Sequence, residues 1–103
     1  MQLLEFERTT NAFNFVFEKD LKANETVVVR MPAVSANKRG INDIGWASSG
    51  DVQLYGTLSR NPKSENALWQ PIQDNEEINK VVSAIKIENK GAPCRIEIRA
   101  ILN

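Results

Sequence analysis

The sequence predicts an all-β domain, an antiparallel β-sandwich of jelly-roll-like form with about seven to eight short strands. Three observations predict it. Apolar and polar residues alternate with a period of two in several separate stretches. Glycine, proline, asparagine and serine punctuate the gaps between those stretches. The 103 residues contain no internal repeat, linker or low-complexity tract, so a single domain over residues 1–103 is expected.

Near the start, Leu4 and Phe6 alternate with Glu5 and Glu7. Phe13, Phe15 and Phe17 then alternate with Asn14, Val16 and Glu18, which puts three rings on one face of a strand. Residues 26–30 are short and β-branched, and Pro32 closes them. Ile44-Gly45-Trp46-Ala47 and Val52-Gln53-Leu54-Tyr55-Gly56-Thr57-Leu58 flank Ser48-Ser49-Gly50-Asp51, which predicts a hairpin. In the second of these runs Val52, Leu54 and Leu58 are expected to face inward with Gly56, a glycine that signals a bulge or close backbone approach. Leu68-Trp69-Gln70-Pro71-Ile72 reads as an edge strand, because Pro71 cannot donate to a ladder.

Residues 75–85 fit two patterns. Ile78, Val81, Val82 and Ile85 have helical spacing, with Asp74 or Asn75 as a cap. Read as a strand, the run places Val81, Ile85 and Ile87 on one face, and its β-branched content favours that reading. Asn89-Lys90-Gly91-Ala92-Pro93 then predicts a turn into the last strand. There Cys94, Ile96, Ile98 and Ala100 alternate with Arg95, Glu97 and Arg99, an apolar face backed by a charged one. A second hairpin is expected at this turn. Two longer polar loops remain, at residues 31–43 and 59–67. Loops on a rigid scaffold are where partner contacts concentrate.

Composition narrows the function. Thirteen basic and thirteen acidic residues give zero formal charge, without the basic surplus that a nucleic-acid binder uses to neutralise phosphates. No apolar run approaches the ~20 residues of a membrane span, and the first residues lack the pattern of a secretory signal. Neither nucleic acid nor membrane is expected as a partner. The chain is expected to stay in a reducing cytoplasm or to be assembled there into something larger. Asn24-Glu25-Thr26 matches a glycosylation acceptor, a chance match if the chain is not secreted.

Cys94 is the one cysteine, so no intrachain disulfide can form, and its expected role is that of a small buried apolar residue. Histidine, the usual general base, is absent. The densest acidic run, Asp74-Asn75-Glu76-Glu77, has neither the alternating oxygens nor the glycine of a calcium loop and reads as a solvated turn. Asp43 and Asp51 read as turn residues. No phosphate-binding glycine loop or nucleophile elbow is found. These features predict a protein that is not an enzyme, with no cofactor, no metal and no catalytic residue.

A binding role then rests on loop tips and outward aromatics. Lys38 and Arg39 form a basic tip in the first long loop, and Asn61 and Lys63 lie in the second. Tyr55 and Trp69 have the opposite parity from their apolar neighbours, so both are expected to point outward. Exposed aromatics serve protein interfaces, and on β-sandwiches they also stack on sugar rings. Trp46 is a third aromatic candidate, for which packing in the core or on a sheet face is the alternative.

Residues 51–101 resemble small β-sandwich structural proteins of tailed bacteriophage particles. The shared pattern is Val52-Gln53-Leu54-Tyr55-Gly56-Thr57-Leu58, a polar loop, and Trp69-Gln70-Pro71-Ile72. It continues with Val82-Ser83-Ala84-Ile85-Lys86-Ile87-Glu88-Asn89, a glycine turn, and Arg95-Ile96-Glu97-Ile98-Arg99-Ala100. Carbohydrate-binding and discoidin-like modules have similar layouts. The resemblance implies a virion component, an auxiliary or decoration protein of the capsid or an adaptor at neck or tail. Its partners would be major capsid or neck and tail proteins and further copies of itself. The alternative is a carbohydrate-binding module.

Overall fold

The structure, a computed structural model, describes residues 3–8, 14–31, 41–72 and 83–102. Among these, nine strands form two sheets. They are β1 (Leu3–Glu5), β2 (Glu7–Arg8), β3 (Asn14–Leu21), β4 (Thr26–Arg30) and β5 (Ile41–Ser48), then β6 (Val52–Thr57), β7 (Trp69–Ile72), β8 (Ala84–Asn89) and β9 (Cys94–Leu102). The five-stranded sheet has the order β1-β4-β8-β6-β7 and the four-stranded sheet the order β2-β3-β9-β5. β8 inserts between β4 and β6, and β9 between β3 and β5, the interleaving of a jelly roll. The all-β sandwich expected from the sequence is the observed fold. Its strand count reaches nine because the first apolar run splits at Phe6, between a strand of each sheet.

The period-two stripes do what their spacing requires. Phe15, Phe17 and Leu21 on β3 and Ile96, Ile98 and Ala100 on β9 are buried on the inner face of one sheet. Val27 and Val29 on β4, Leu54 on β6, and Ile85 and Ile87 on β8 are buried on the inner face of the other. The two faces close one core, against which Leu4, Phe6, Trp46 and Cys94 pack from its margin. Phe6 meets Phe17 with ring centroids 6.0 Å apart. Cys94 thus takes the apolar packing role, half-buried rather than fully enclosed. Among the described residues β7 is an edge strand, as Pro71 predicts. Phe13, Val81, Val82 and the acidic run 74–77 lie outside the described residues, as does most of the ambiguous segment 75–85. Its end begins β8, with Ile85 and Ile87 facing the core.

Several expectations are corrected. Neither predicted hairpin forms: β5 pairs with β9 and β6 with β8 and β7, so residues 49–51 carry the chain from one sheet to the other. Residues 90–93 do the same between β8 and β9. Both turns reverse the chain across the core instead of within a ladder. One pair, β1 with β4, is parallel. Leu58 is 73% exposed rather than inward, because the ladder ends at Thr57. Gly56 keeps regular register with Ile85 and Gln70, so it marks no bulge; the register shift lies at Ile41/Asp43.

The two ends of the sandwich differ in construction. At one end three crossings, residues 22–25, 49–51 and 90–93, are stitched together. The Asn89 amide nitrogen donates to the carbonyls of Lys22 (2.8 Å) and Ala92 (3.1 Å), and its oxygen accepts from Gly91 N (3.1 Å). Asn89 N also donates to Glu25 O (2.9 Å), and Lys90 N to Asp51 O (2.9 Å). Asn24 takes a left-handed backbone (φ 60°) in the first crossing, a conformation asparagine tolerates. The opposite end carries the loop between β6 and β7.

Candidate partner-binding surface

The outer faces of the two sheets have different chemistry. On the four-stranded sheet, antiparallel register places Glu18 and Asp20 of β3 beside Arg95, Glu97 and Arg99 of β9. Arg95 reaches Glu18 at 3.0 Å, Asp20 at 3.2 Å and Glu97 at 3.3 Å, and Arg99 reaches Glu18 at 4.0 Å. Hydrogen bonds to Asp20 and Glu97, with the charges of Asp20 and Glu18, hold the Arg95 guanidinium above its ordinary pKa. This is the wet face that the alternation predicts. The side chains of these ion pairs are all exposed, Glu18 least at 39%, and ion pairs so placed contribute little to stability. Arg95→Met is therefore expected to leave the urea midpoint of unfolding within measurement error at about 1 M salt. A large loss at that salt concentration would show that the network matters to the fold.

On the outer face of the five-stranded sheet two aromatic rings stand among charged, polar and small apolar side chains. One cross-strand row contains Val28, Lys86, Tyr55 and Pro71, and the next contains Arg30, Ala84, Thr57 and Trp69. Tyr55 and Trp69 are diagonal neighbours on β6 and β7, both half-buried and both outward, as their parity predicts. Lys86 Nζ lies 4.6 Å from the Trp69 ring centroid and 5.7 Å from that of Tyr55. β6 separates β7 from β8, so the indole must lie across β6 to approach Lys86. The small residues of its row, Thr57 and Ala84, are 2% and 0% exposed although they are on the outer face.

The loop of residues 58–68 leaves the sheet at this corner. Thr57 Oγ1 accepts from Ser59 N (3.2 Å), and the Ser83 hydroxyl donates to the carbonyls of Thr57 and Ser59. Asn61 Oδ1 accepts from Lys63 N (3.3 Å), and Ser64 Oγ from Asn66 N (3.1 Å), two side-chain-capped turns in succession. Asn61 therefore shapes the loop, while Lys63 is exposed on it. Leu58 and Leu68 flank the loop and are 73% and 81% exposed. Of the residues predicted from the sequence, Tyr55, Trp69, Asn61 and Lys63 occupy this face and its loop, and Lys38 and Arg39 lie outside the described residues. Trp46 is turned inward and packs on the core.

The sequence reading missed Lys86, Leu58 and Leu68. Lys86 alternates with Ile85 and Ile87, which marks it as outward, but only the register across β6 brings it to the rings. Among the described residues, no group of acidic or cysteine side chains could hold a metal ion, and no helix is long and apolar enough to cross a membrane. No family model, curated protein or solved structure matches the chain.

Proposed function

We propose that this chain is a non-enzymatic structural protein of a phage particle, an auxiliary or decoration protein that binds the capsid through the outer face of its five-stranded sheet. The observation that carries the reading is the pairing of half-buried, outward Trp69 and Tyr55 on β7 and β6 with exposed Leu58 and Leu68 at the two ends of the hydrogen-bonded loop that joins those strands. Apolar side chains at that exposure lose water only when something covers them, and tryptophan and tyrosine are typical anchors of protein interfaces. The resemblance of residues 51–101 to phage structural proteins supports the particle as the setting. Repetition over a lattice would multiply a weak contact by avidity.

The first test is mass spectrometry of purified particles, in which the protein is expected at a copy number comparable with that of the capsid subunits. Absence, or trace amounts alone, would sink the proposal. The second is binding to capsids lacking the protein. Trp69→Ala and Leu68→Asp are each expected to weaken binding at least tenfold while the melting curve stays cooperative. Unchanged binding by both variants would remove this face from the interface.

A sugar-binding module is the second reading, favoured by the placement of Tyr55 and Trp69 on one surface. Lys86 argues against it, since its ammonium already occupies the ring faces on which a sugar would stack. A glycan array with selective hits that Trp69→Ala abolishes would favour this second reading over the capsid.

A further inference from the structure

The loop of residues 58–68 joins β6 to β7, and all of it lies among the described residues. Leu58 and Leu68, at its two ends, are the large apolar side chains left exposed among those residues, at 73% and 81%. Each is one residue beyond the paired Thr57 and Trp69, so both begin where the ladder stops. The residues between them are polar apart from Ala67 and Pro62, and Pro62 is buried.

This exposure is built into the backbone. Asn61 N donates to Ser59 Oγ (3.1 Å), Ser64 N to Asn61 O (3.0 Å) and Ala67 N to Ser64 O (3.1 Å). The Ser83 hydroxyl ties the Ser59 carbonyl to the residue that precedes β8. Successive turns thus fix the chain between the two leucines. A partner meets side chains already in place, and little ordering entropy is lost when it binds.

The charges around the leucines are unmatched. Arg60 and Lys63 are exposed on the loop, where Glu65 is the one carboxylate. Lys86 lies over Trp69 and Tyr55 on the outer face from which the loop departs. Among the described residues Arg60, Lys63 and Lys86 form no ion pair, whereas Arg95 and Arg99 on the other sheet are matched by carboxylates. The carboxylates of this outer face stand apart from the rings, Glu88 toward the closed end and Glu5 on β1 beside Arg30. Zero net charge over the whole chain therefore conceals a local surplus, three cations to one anion.

We propose that this loop, with Trp69 next to it in the chain, receives an acidic and apolar segment of a protein partner. An apolar side chain of that segment covers Leu58 and Leu68, and flanking aspartates or glutamates meet Arg60, Lys63 and Lys86. The inference rests on the reading of this face as the partner-binding surface, but not on a particle as its setting. The cations steer an acidic segment in and repel a basic one. The leucines supply the part of the affinity that salt does not screen. An anionic lipid surface would use the same charges. However, Asn61, Glu65 and Asn66 are exposed between the leucines and would have to enter it, which favours a protein segment.

The test uses the purified chain and no capsid, so that its failure is distinguishable from failure of the capsid contact. A yeast-displayed library of random peptides is sorted against the labelled chain, and the enriched sequences are synthesised. Peptides that combine apolar residues with aspartate or glutamate are expected, with dissociation constants between about 1 µM and 1 mM. Replacing their acidic residues with asparagine and glutamine is expected to weaken binding about tenfold at about 0.05 M salt, and less at about 0.5 M. Leu58→Ser and Leu68→Ser are each expected to weaken binding about tenfold while melting stays cooperative. The double variant Arg60→Glu, Lys63→Glu is expected to reverse the preference, so that a lysine-substituted peptide binds better than its acidic original. All four replaced side chains are exposed, so the core is left intact. Enrichment of neutral or basic peptides, or of none, overturns the proposal. So does an unreversed preference in the double variant, or unchanged binding when either leucine is replaced. Saturable binding to phosphatidylserine vesicles in place of peptide also overturns it, since the cations would then serve lipid.

Discussion

Replacing Asn89 with leucine is expected to cost about 3–4 kcal/mol of folding stability, a large share of the ~5–15 kcal/mol available to a domain. Asn89 ends β8 on the core-facing side, opposite Val52, and is 2% exposed. Its amide has two donors and one acceptor in use, which bind Lys22 O, Ala92 O and Gly91 N. Leucine has similar volume and none of these groups. Each lost bond removes about 1 kcal/mol, and partners left without water cost more. Asn89→Asp discriminates further. It keeps an acceptor for Gly91 N but turns a carboxylate toward two carbonyl oxygens, so it is expected to be at least as damaging as leucine near neutral pH. Urea titration with an unchanged m-value measures both. A loss below about 0.5 kcal/mol in Asn89→Leu would mean that the three crossings hold together without it.

The location of that residue explains what the sequence could disclose. Alternation along β3, β6, β8 and β9 is a local property, and Phe15, Phe17, Leu54, Ile96 and Ile98 face the core as their spacing requires. The two expected hairpins fail for a reason equally local. A turn signal states that the chain reverses, not whether it re-enters the same sheet or the opposite one. Both arrangements send Ile44, Val52, Ile87 and Ile96 into one core, so the pattern is the same for either. Deciding between them takes long-range partners: Ser49 with Arg95, Asp51 with Lys90, and Asn89 with Lys22. Asn89 looked like an ordinary turn residue because its acceptors come from a distant crossing.

The candidate surface was legible to the same depth. Parity alone put Tyr55 and Trp69 outside, and proline put β7 at an edge. Parity also put Leu58 inside, which fails because the rule holds only while the ladder continues, and the ladder stops at Thr57. The meeting of Lys86 with both rings needs β8, β6 and β7 in register, information spread over three segments. The fold thus separates its tasks. One end is closed by crossings bonded to one another, and the far corner of the five-stranded sheet leaves its apolar side chains uncovered.

A methyl group at position 50 is expected to strain the closed end. Gly50 lies where the β5–β6 crossing passes the start of β9. That approach is fixed from both sides, because Ser49 N donates to Arg95 O at 3.0 Å and Ser49 Oγ accepts from Arg95 N at 2.9 Å. A Cβ on residue 50 would sit 2.7 Å from Cys94 Cβ and 3.0 Å from its Sγ. The sulfur can rotate away, but the Cβ is bonded to the backbone of β9 and moves only with the strand. Gly50→Ala is therefore expected to cost about 1–3 kcal/mol, the range for forcing atoms into a packed site. A loss of that size could also come from the backbone preference of alanine, so the cause needs a cycle. Cys94→Gly removes both atoms the methyl would meet. It is destabilising by itself, since Cys94 packs on the core. In that background, however, Gly50→Ala is expected to lose at least half of its penalty, a coupling of about 0.5–1.5 kcal/mol between the two sites. An equal penalty in both backgrounds would place the strain in the backbone of residue 50 and not in its approach to β9.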